Sequence, residues 1–177
     1  MKELIPAWEN GKLKAIEKLE VHKRALRHKA VSVFLISGSE TLIQQRALSK
    51  YHTPGLWANA CCTHPFWEEK PVDCAKRRLD EELGIRTNLD FFYRDQIEYK
   101  ANVGNGLVEY ELVDIFTLNV DKKSEIKISL NTSEVKKTRW ITFDILQQEI
   151  KHNSERFTPW LRIYLTNHIN QIFDKTR

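Results

Sequence analysis

The stretch PVDCAKRRLDEELGI, from Pro71 to Ile85, carries the clearest structural signal in this chain. Proline favours the first turn of a helix and glycine the position just past its end, so the stretch predicts a helix over Pro71–Leu83 that stops at Gly84. Its apolar residues fall within about 80° of arc at 100° per residue, which indicates one buried face. These residues are Val72, Ala75, Leu79 and Leu83.

Strand patterns lie on both sides of this helix. Two segments separated by Ser-Gly-Ser predict a β-hairpin, and Pro54-Gly55 marks a turn. The predicted strands are rich in β-branched and aromatic residues and are Ala30–Ile36, Thr41–Arg46, Leu56–His64, Asp95–Ala101, Leu107–Leu118 and Thr138–Phe143. Pro65 closes the third strand, and the turn Asn102–Gly106 joins the fourth and fifth.

Two further helices are predicted near the end of the chain. A short one covers Asp144–Ile150, and the last has Thr158 as N-cap and Pro159 in its first turn. The last helix is expected to bury Leu161, Leu165, Ile169 and Ile172. Strands in the middle with helices interspersed predict an α+β fold, an α/β/α sandwich in which helices cover both faces of a mixed sheet.

Length and composition limit the class of protein. The chain has 177 residues, 41% of them apolar and 29% charged, which is typical of one soluble domain, so residues 1–177 are expected to form a single domain. No apolar run approaches the roughly 18–20 residues that span a membrane, and the start of the chain does not resemble a signal peptide. The net charge of +4 is mild and spread along the chain, which argues against nucleic acid as a partner. Three cysteines, two of them adjacent, indicate reduced thiols, and we expect a cytoplasmic protein.

Two short strand patterns carry groups suited to chemistry. In a strand, Cys62 and His64 point to one face while Cys61 points to the other. Glu109 and Glu111 likewise share a face, amid apolar neighbours, about 6–7 Å apart. Two acids on such a face are costly unless they bind a cation or hold a proton. The alternative is an exposed sheet face with solvated carboxylates.

The remaining histidines give weaker signals. His22 and His28 are six residues apart, a spacing that matches neither a helix nor a strand. The others have no partner nearby in sequence and are interpreted as structural or surface residues. These are His52, His152 and His168.

The helical stretch also resembles the Nudix box, in which glutamates on a helix hold a divalent ion against a diphosphate. The matching positions are Glu69, Arg77, Glu81, Glu82 and Gly84. The chain departs from that box where Nudix hydrolases have a glutamate, because Arg78 follows the first arginine. It also has Thr63 where they have glycine. These departures weigh against pyrophosphate hydrolysis.

With these residues assembled, the chain resembles type 1 isopentenyl-diphosphate Δ-isomerases from about Lys18 to Trp160. A cysteine two residues before a histidine, followed downstream by Glu-x-Glu, carries most of the resemblance. The other matching segments are Glu17–His22, His28–Phe34, Arg46–Lys50, Pro54–Pro65, Arg77–Ile85 and Phe157–Trp160.

The resemblance implies two metal sites and a diphosphate site. One six-coordinate ion, Mn²⁺ or alternatively Mg²⁺ or Zn²⁺, would be bound by His22, His28, His64, Glu109 and Glu111. Glu82 would contact a Mg²⁺ that accompanies the substrate diphosphate. The positions that would bind the diphosphate are Lys18, Arg46, Lys50 and Arg78.

The resemblance also implies catalytic roles. Glu111, assisted by Tyr99, would protonate the double bond and Cys62 would remove a proton at the far end, because a free thiol is the weaker acid. Trp160 would close the pocket over the resulting cation, which its π face could stabilise, although a role as a core anchor stays open. The expected partner is a small isoprenyl diphosphate, and the chain is expected to act as a monomer or homodimer away from membranes.

Two other functions remain as alternatives. A Nudix-type hydrolase would release phosphate from nucleotide or isoprenoid diphosphates. A non-catalytic binder of metal or RNA would account for the mild basicity, but it would leave the cysteine and the acid pair without a role.

Overall fold

A parallel pair of long strands forms the centre of the fold in the computed structural model, which describes residues 3–173. The strands in this range are β1 (Leu4–Glu9), β2 (Lys12–Glu17), β3 (His28–Ser37), β4 (Glu40–Arg46), β5 (Trp57–Asn59), β6 (Cys61–Thr63), β7 (Phe92–Gly104), β8 (Leu107–Asn119) and β9 (Val135–Thr142). The helices are α1 (Lys18–Lys23), α2 (Pro71–Leu83), α3 (Phe143–His152), α4 (Pro159–Asn167) and α5 (Ile169–Phe173). Short 3₁₀ turns lie at Lys123–Glu125 and Ser154–Arg156.

The strands form one mixed sheet organised around β3. Residues 28–36 of β3 run parallel to residues 111–119 of β8, and β7 pairs antiparallel with β8. The other edge of β3 pairs with β6 and, at its end, with β4. Strand β4 continues the sheet by pairing antiparallel with both β5 and β9.

Helices cover both faces of this sheet, as the strand alternation predicts. Val31, Val33 and Leu35 of β3 pack in one buried cluster with α2. Ala30 and Phe34, on the opposite face, pack in a second cluster with α4. The prediction of a mixed sheet between helical layers is therefore confirmed.

Helix α2 has the predicted bounds, Pro71 to Leu83. Gly84 follows it with φ +64°, a left-handed conformation that glycine adopts without steric cost. An added Cβ at Gly84 would lie 2.7 Å from the backbone oxygen of Ser129. Glycine is therefore needed here both for its conformation and for the close approach of a second segment.

Two predicted elements are interrupted in the structure. The segment predicted as one strand over Leu56–His64 divides at Ala60, because β5 pairs with β4 whereas β6 pairs with β3. The last helix breaks at His168 into α4 and α5. Thr158 occupies the N-cap position, but its side chain makes no capping hydrogen bond.

Other elements extend beyond the predicted bounds. Strands β7 and β8 are both 13 residues long, so the connecting turn is shorter than predicted and contains only Asn105 and Gly106 between the strands. The hairpin of β1 and β2 and the helix α1 were not predicted. The described helices include none that is long and apolar enough to cross a membrane.

Candidate active site

A cavity of about 30 Å³ lies where the start of β3, the end of β6 and the middle of β8 meet. Charged and polar side chains make up most of its lining. The lining residues are Lys18, Arg46, Lys50, Tyr51, His52, Cys62, Thr63, His64, Arg78, Glu82, Glu109, Glu111, Glu134 and Trp160. The cavity therefore contains the predicted catalytic, diphosphate-binding and metal-binding groups, apart from His22, His28 and Tyr99, which lie behind its wall.

Three imidazoles and a carboxylate form a buried cluster at one end of this cavity. The ligand atoms of His22, His28, His64 and Glu109 all lie within 4.8 Å of one another. Burial acts to raise the pKa of Glu109, but contacts from these imidazoles outweigh it and hold the pKa well below its ordinary range. A carboxylate that stays charged among three imidazoles is well suited to share a cation with them.

Hydrogen bonds orient two of the imidazoles so that they fit a metal ion. Nδ1 of His22 lies 2.6 Å from the carbonyl oxygen of Lys18, and Nδ1 of His28 lies 2.7 Å from that of Leu26. A carbonyl only accepts, so each Nδ1 carries a proton, and each Nε2 presents a lone pair to an ion once it has lost its own proton. Within the described chain these Nε2 atoms make no hydrogen bond, and they face Glu109 Oε2 at 3.0 and 3.5 Å. The donor set thus fits a divalent ion.

Glu111 lies beside this cluster and also contacts a tyrosine. Its Oε1 is 2.9 Å from His64 Nε2, and the hydroxyl of Tyr99 donates to its Oε2 at 2.5 Å. Tyr99 reaches Glu111 because the two residues are direct partners in the antiparallel pair of β7 and β8. One carboxylate is therefore shared between the His/Glu cluster and a buried hydroxyl.

The two adjacent cysteines face opposite sides of the sheet, as their strand positions predict. Cys61 is fully buried in the cluster beneath α2, whereas Cys62 lines the cavity. Burial raises the pKa of the Cys62 thiol well above its ordinary value, the charge of Glu111 adds to this, and a hydrogen bond from Ser32 opposes it. The sulfur is therefore a strong base once it has lost its proton.

Four cations also line the cavity, and the resemblance implies that they bind a diphosphate. Lys18 pairs with Glu3 at 3.2 Å, Lys50 with Glu134 at 2.7 Å, and Arg78 with Glu82 at 2.6 Å. Among the described residues Arg46 alone of the four has no carboxylate within ion-pair distance, and it lies over the Trp160 ring at 5.4 Å. Arg46 is thus the cation with the least neutralised charge.

Most of the Nudix-box side chains support the fold here. Glu69 holds Arg77 through two contacts of 2.7 Å and accepts the backbone N–H of Phe66. Glu81 is exposed and pairs with Arg77 and Arg78, so only Glu82 of the box faces the cavity. The positively charged side chain of Arg78 therefore lies between Glu81 and Glu82.

Trp160 lies at the start of α4 and is almost fully buried against the cavity. The backbone N–H of Thr158 donates to the carbonyl oxygen of Trp57, which attaches the start of α4 to β5. The Trp160 ring is packed edge-on against His52, with 6.2 Å between centroids. An aromatic face is thus fixed over the cavity.

Several cavity residues were not predicted. His52, interpreted from sequence as structural or surface, is buried with its Nε2 3.4 Å from Glu109 Oε1, and the pKa of its imidazole is lowered to about 3, mainly by burial. Glu134 and Tyr51 also line the cavity. His152 is exposed and His168 is half-buried, both far from the cluster in the fold, as expected for surface residues.

Comparison with known proteins adds two kinds of similarity. The family model described as "NUDIX domain" matches residues 26–161. The isopentenyl-diphosphate Delta-isomerase of Dinoroseobacter shibae is 57% identical over 98% of this chain and 97% of its own, and that of Cereibacter sphaeroides strain KD131 is 54% identical over 100% and 98%.

Solved structures are similar in fold at much lower sequence identity. The DR0079 protein of Deinococcus radiodurans has a TM-score of 0.72 at 17% identity and covers 93% of this chain and 97% of its own. A MutT NUDIX hydrolase of Burkholderia pseudomallei has a TM-score of 0.58 at 19% identity and covers 78% and 95%.

Proposed function

This chain belongs to the isopentenyl-diphosphate Delta-isomerase family of NUDIX-domain proteins, and from that membership we propose that it interconverts isopentenyl diphosphate and dimethylallyl diphosphate. One structural observation carries the proposal. A thiol and a tyrosine-bonded carboxyl group line the same buried cavity, which also holds a His/Glu cluster and four cations. An isomerase of this kind needs an acid, a base and an anchor for the diphosphate in one place.

The proposed reaction moves one proton onto the substrate and removes another. The carboxyl group of Glu111 gives its proton to the terminal CH₂ carbon, which leaves a tertiary carbocation at C3. The Cys62 thiolate then removes a proton from C2, and the electrons of that C–H bond form the new double bond. Glu111 ends as a carboxylate and Cys62 as a thiol, and the reverse reaction exchanges their duties.

The surroundings of Glu111 and Cys62 support the assignment of Glu111 as the acid and Cys62 as the base. Tyr99 donates to Glu111 at 2.5 Å and holds one carboxyl oxygen in place. The high pKa of the buried Cys62 thiol makes its thiolate a strong base toward a C–H bond next to a cation. Trp160 offers an aromatic face to the carbocation, an interaction worth about 2 kcal/mol or more when water is excluded.

We propose that the His/Glu cluster takes Mn²⁺, with Mg²⁺ or Zn²⁺ as alternatives, through His22, His28, His64, Glu109 and Glu111. Such an ion would fix the position of the Glu111 carboxyl group and reduce the negative charge around it. Glu82 would contact a Mg²⁺ that arrives with the substrate diphosphate.

The diphosphate is proposed to bind to Lys18, Arg46, Lys50 and Arg78. A cavity of about 30 Å³ holds little more than one or two water molecules. Substrate entry would therefore need the cavity to widen, and Lys18 and Lys50 would exchange their contacts with Glu3 and Glu134 for contacts with phosphate oxygens. We also propose a cytoplasmic location, since a reducing compartment suits three free cysteines.

The structure gives a physical reason to prefer isomerisation to hydrolysis. Hydrolysis by a Nudix box depends on several helix carboxylates that bind metal together. Here Arg77 holds Glu69 and Arg78 contacts Glu81 at 2.9 Å, so Glu82 is the one carboxylate of the box that faces the cavity.

Incubation of the metal-loaded protein with isopentenyl diphosphate in deuterated water tests the proposal. We expect dimethylallyl diphosphate that carries deuterium in the new methyl group, and deuterium in recovered substrate, without release of phosphate. Phosphate release without isomerisation would favour a hydrolase. Recovery of unlabelled substrate alone would favour a non-catalytic binder.

A further inference from the structure

A row of buried hydroxyl groups lies behind the cavity wall that carries Cys62. The Ser32 hydroxyl contacts the Cys62 sulfur at 3.2 Å and lies 3.1 Å from the hydroxyl of Tyr164. Ser32 and Tyr164 have no exposed surface, and neither lines the cavity. They reach Cys62 because Ser32 is its direct partner in the pairing of β3 with β6, and α4 packs on that face.

The number of protons in this row fixes the direction of its hydrogen bonds. A thiolate only accepts, so Ser32 must donate its one hydroxyl proton to the sulfur. Ser32 then has none left for Tyr164, and Tyr164 must donate to Ser32. A hydrogen bond to a charged acceptor is roughly twice as strong as one between neutral groups. The row is therefore best satisfied when Cys62 is the acceptor.

Tyr164 also packs against the tyrosine that contacts the second proposed catalytic group. The rings of Tyr164 and Tyr99 meet edge-on with 5.9 Å between centroids. Tyr99 in turn donates to Glu111. If these buried hydroxyls served only to give each other a hydrogen-bond partner, Ser32 and Tyr164 would be sufficient. The row instead continues from Ser32 to the Cys62 sulfur.

We propose that Ser32 and Tyr164 are positioning residues for the isomerisation, which hold the Cys62 sulfur in the orientation that removes the C2 proton. The inference rests on the proposed function above. Neither residue contacts the diphosphate-binding cations, so their loss should slow the chemical step and leave substrate binding unchanged.

Three variants test the proposal: Tyr164→Phe, Ser32→Ala and Ser32→Thr. For each we would measure kcat, KM and the isotope effect on kcat with isopentenyl diphosphate deuterated at C2. We expect Ser32→Ala to lower kcat by about 10- to 100-fold, the usual range for a hydrogen bond to a charged group, and Tyr164→Phe to lower it by about 3- to 10-fold, because its bond to Ser32 joins two neutral groups. KM should stay within about twofold, and the isotope effect should rise because proton removal becomes slower. Ser32→Thr keeps the hydroxyl and should recover most of kcat.

Tyr110→Phe is the matched control, because its hydroxyl bonds to Glu98 at 3.1 Å on the other face of β8. It should leave all three quantities unchanged. Tyr164→Phe keeps the ring and its packing, so it decides the question if Ser32→Ala does not fold.

Two results would overturn the inference. One is a kcat within about threefold of the unsubstituted chain in Tyr164→Phe, with the isotope effect unchanged. The other is a rise in KM that accounts for the lost activity, which would indicate a purely structural role. If the unsubstituted chain is inactive, the proposed function fails and this inference with it. If that chain is active and Tyr164→Phe behaves like Tyr110→Phe, only this inference fails.

Discussion

Cys61 and Cys62 are neighbours in sequence, yet their side chains lie in different chemical environments. Cys61 packs under α2, 3.9 Å from a carboxylate oxygen of Glu82, whereas Cys62 faces the cavity and Ser32. The alternation of a β-strand places them on opposite faces. Only Cys62 can therefore reach a substrate in this cavity.

We predict that Cys62→Ala lowers isomerase activity by about 10²- to 10⁴-fold, the usual contribution of a proton-transfer group. Its metal content should be unchanged, as measured by elemental analysis. Cys61→Ala is the matched control and should keep activity within about threefold while losing about 1 kcal/mol of stability. An inactive Cys61→Ala beside an active Cys62→Ala would contradict the assignment of the two faces.

Arg46 differs from the other cations of the cavity in having no carboxylate partner in the described structure. We predict that Arg46→Met raises KM for isopentenyl diphosphate by about 10- to 100-fold, because a hydrogen bond to a charged group contributes roughly 1.5–3 kcal/mol. Inhibition by inorganic diphosphate should weaken by a similar factor. Arg86→Met, at an exposed ion pair with Asp80, is the control and should have no effect. Equal KM values for the two variants would exclude Arg46 from the anion site.

At the scale of elements, the end of α2 shows how one residue joins two segments. The backbone N–H groups of Ser129 and Asn131 donate to the carbonyl oxygens of Leu83 and Glu82. These bonds hold the segment that leads to Glu134 against the end of the helix. Gly84 permits this approach because it has no Cβ.

We predict that Gly84→Ala destabilises the fold by about 2–5 kcal/mol. A left-handed conformation costs alanine roughly 1–2 kcal/mol, and the contact with Ser129 adds an overpacking cost of roughly 1–3 kcal/mol. Gly38→Ala is the matched control, since Gly38 has φ +58° with nothing near an added Cβ. Denaturant unfolding should show the larger loss for Gly84→Ala. Equal losses of stability in the two variants would mean that Ser129 moves away from the added Cβ without destabilising the fold.

Elements defined by local signals could be predicted from the sequence, and those defined by pairing could not. Helix α2 has proline, glycine and a regular apolar face, so its bounds were predicted correctly. The division at Ala60 depends on which strands lie beside β5 and β6, which no local pattern reveals. Strand β2 is six residues long and mostly exposed, so little in its sequence marks the hairpin with β1.

The same distinction applies to the cavity. Glu109 and Glu111 are two residues apart in β8, and their shared face follows from that spacing. His52 and Glu134 lie in irregular segments, and only the tertiary fold brings them to the cavity. The resemblance assigned roles only to residues within the matching motifs, so it assigned none to His52 or Glu134.

At the scale of the whole molecule, the His/Glu cluster joins parts of the chain that otherwise share little core. His22 comes from α1, His28 from β3, and Glu109 from β8. The N-terminal hairpin and α1 pack around a small separate cluster of buried residues, which are Ile5, Ala7 and Val21. A bound ion would therefore attach this N-terminal unit to the main sheet.

We predict that chelation of the metal lowers the melting temperature by about 5–10 °C. An ion at 100 times its Kd stabilises the fold by about 2.7 kcal/mol, and each kcal/mol corresponds to roughly 2–4 °C in a chain of this size. Hydrogen exchange should increase most in α1. An unchanged melting temperature after complete metal removal would argue against an ion at this cluster.

The effect of chelation should also depend on pH through His28. Burial acts to lower the pKa of His28, but Glu109 and Glu111 outweigh it and raise the pKa to about 9 in the metal-free chain. A folded-state pKa above the unfolded value of about 6.5 contributes stability that is complete below pH 6.5 and is lost as pH rises to about 9. The protonated imidazole thus partly replaces the missing cation and stabilises the metal-free fold by at most about 3 kcal/mol.

We therefore expect the gap in melting temperature between metal-bound and metal-free protein to widen from pH 6.5 to 9. His28→Gln should remove this pH dependence in the metal-free chain and the exposed control His152→Gln should retain it, whereas a gap that narrows with rising pH would contradict the pairing of His28 with both carboxylates.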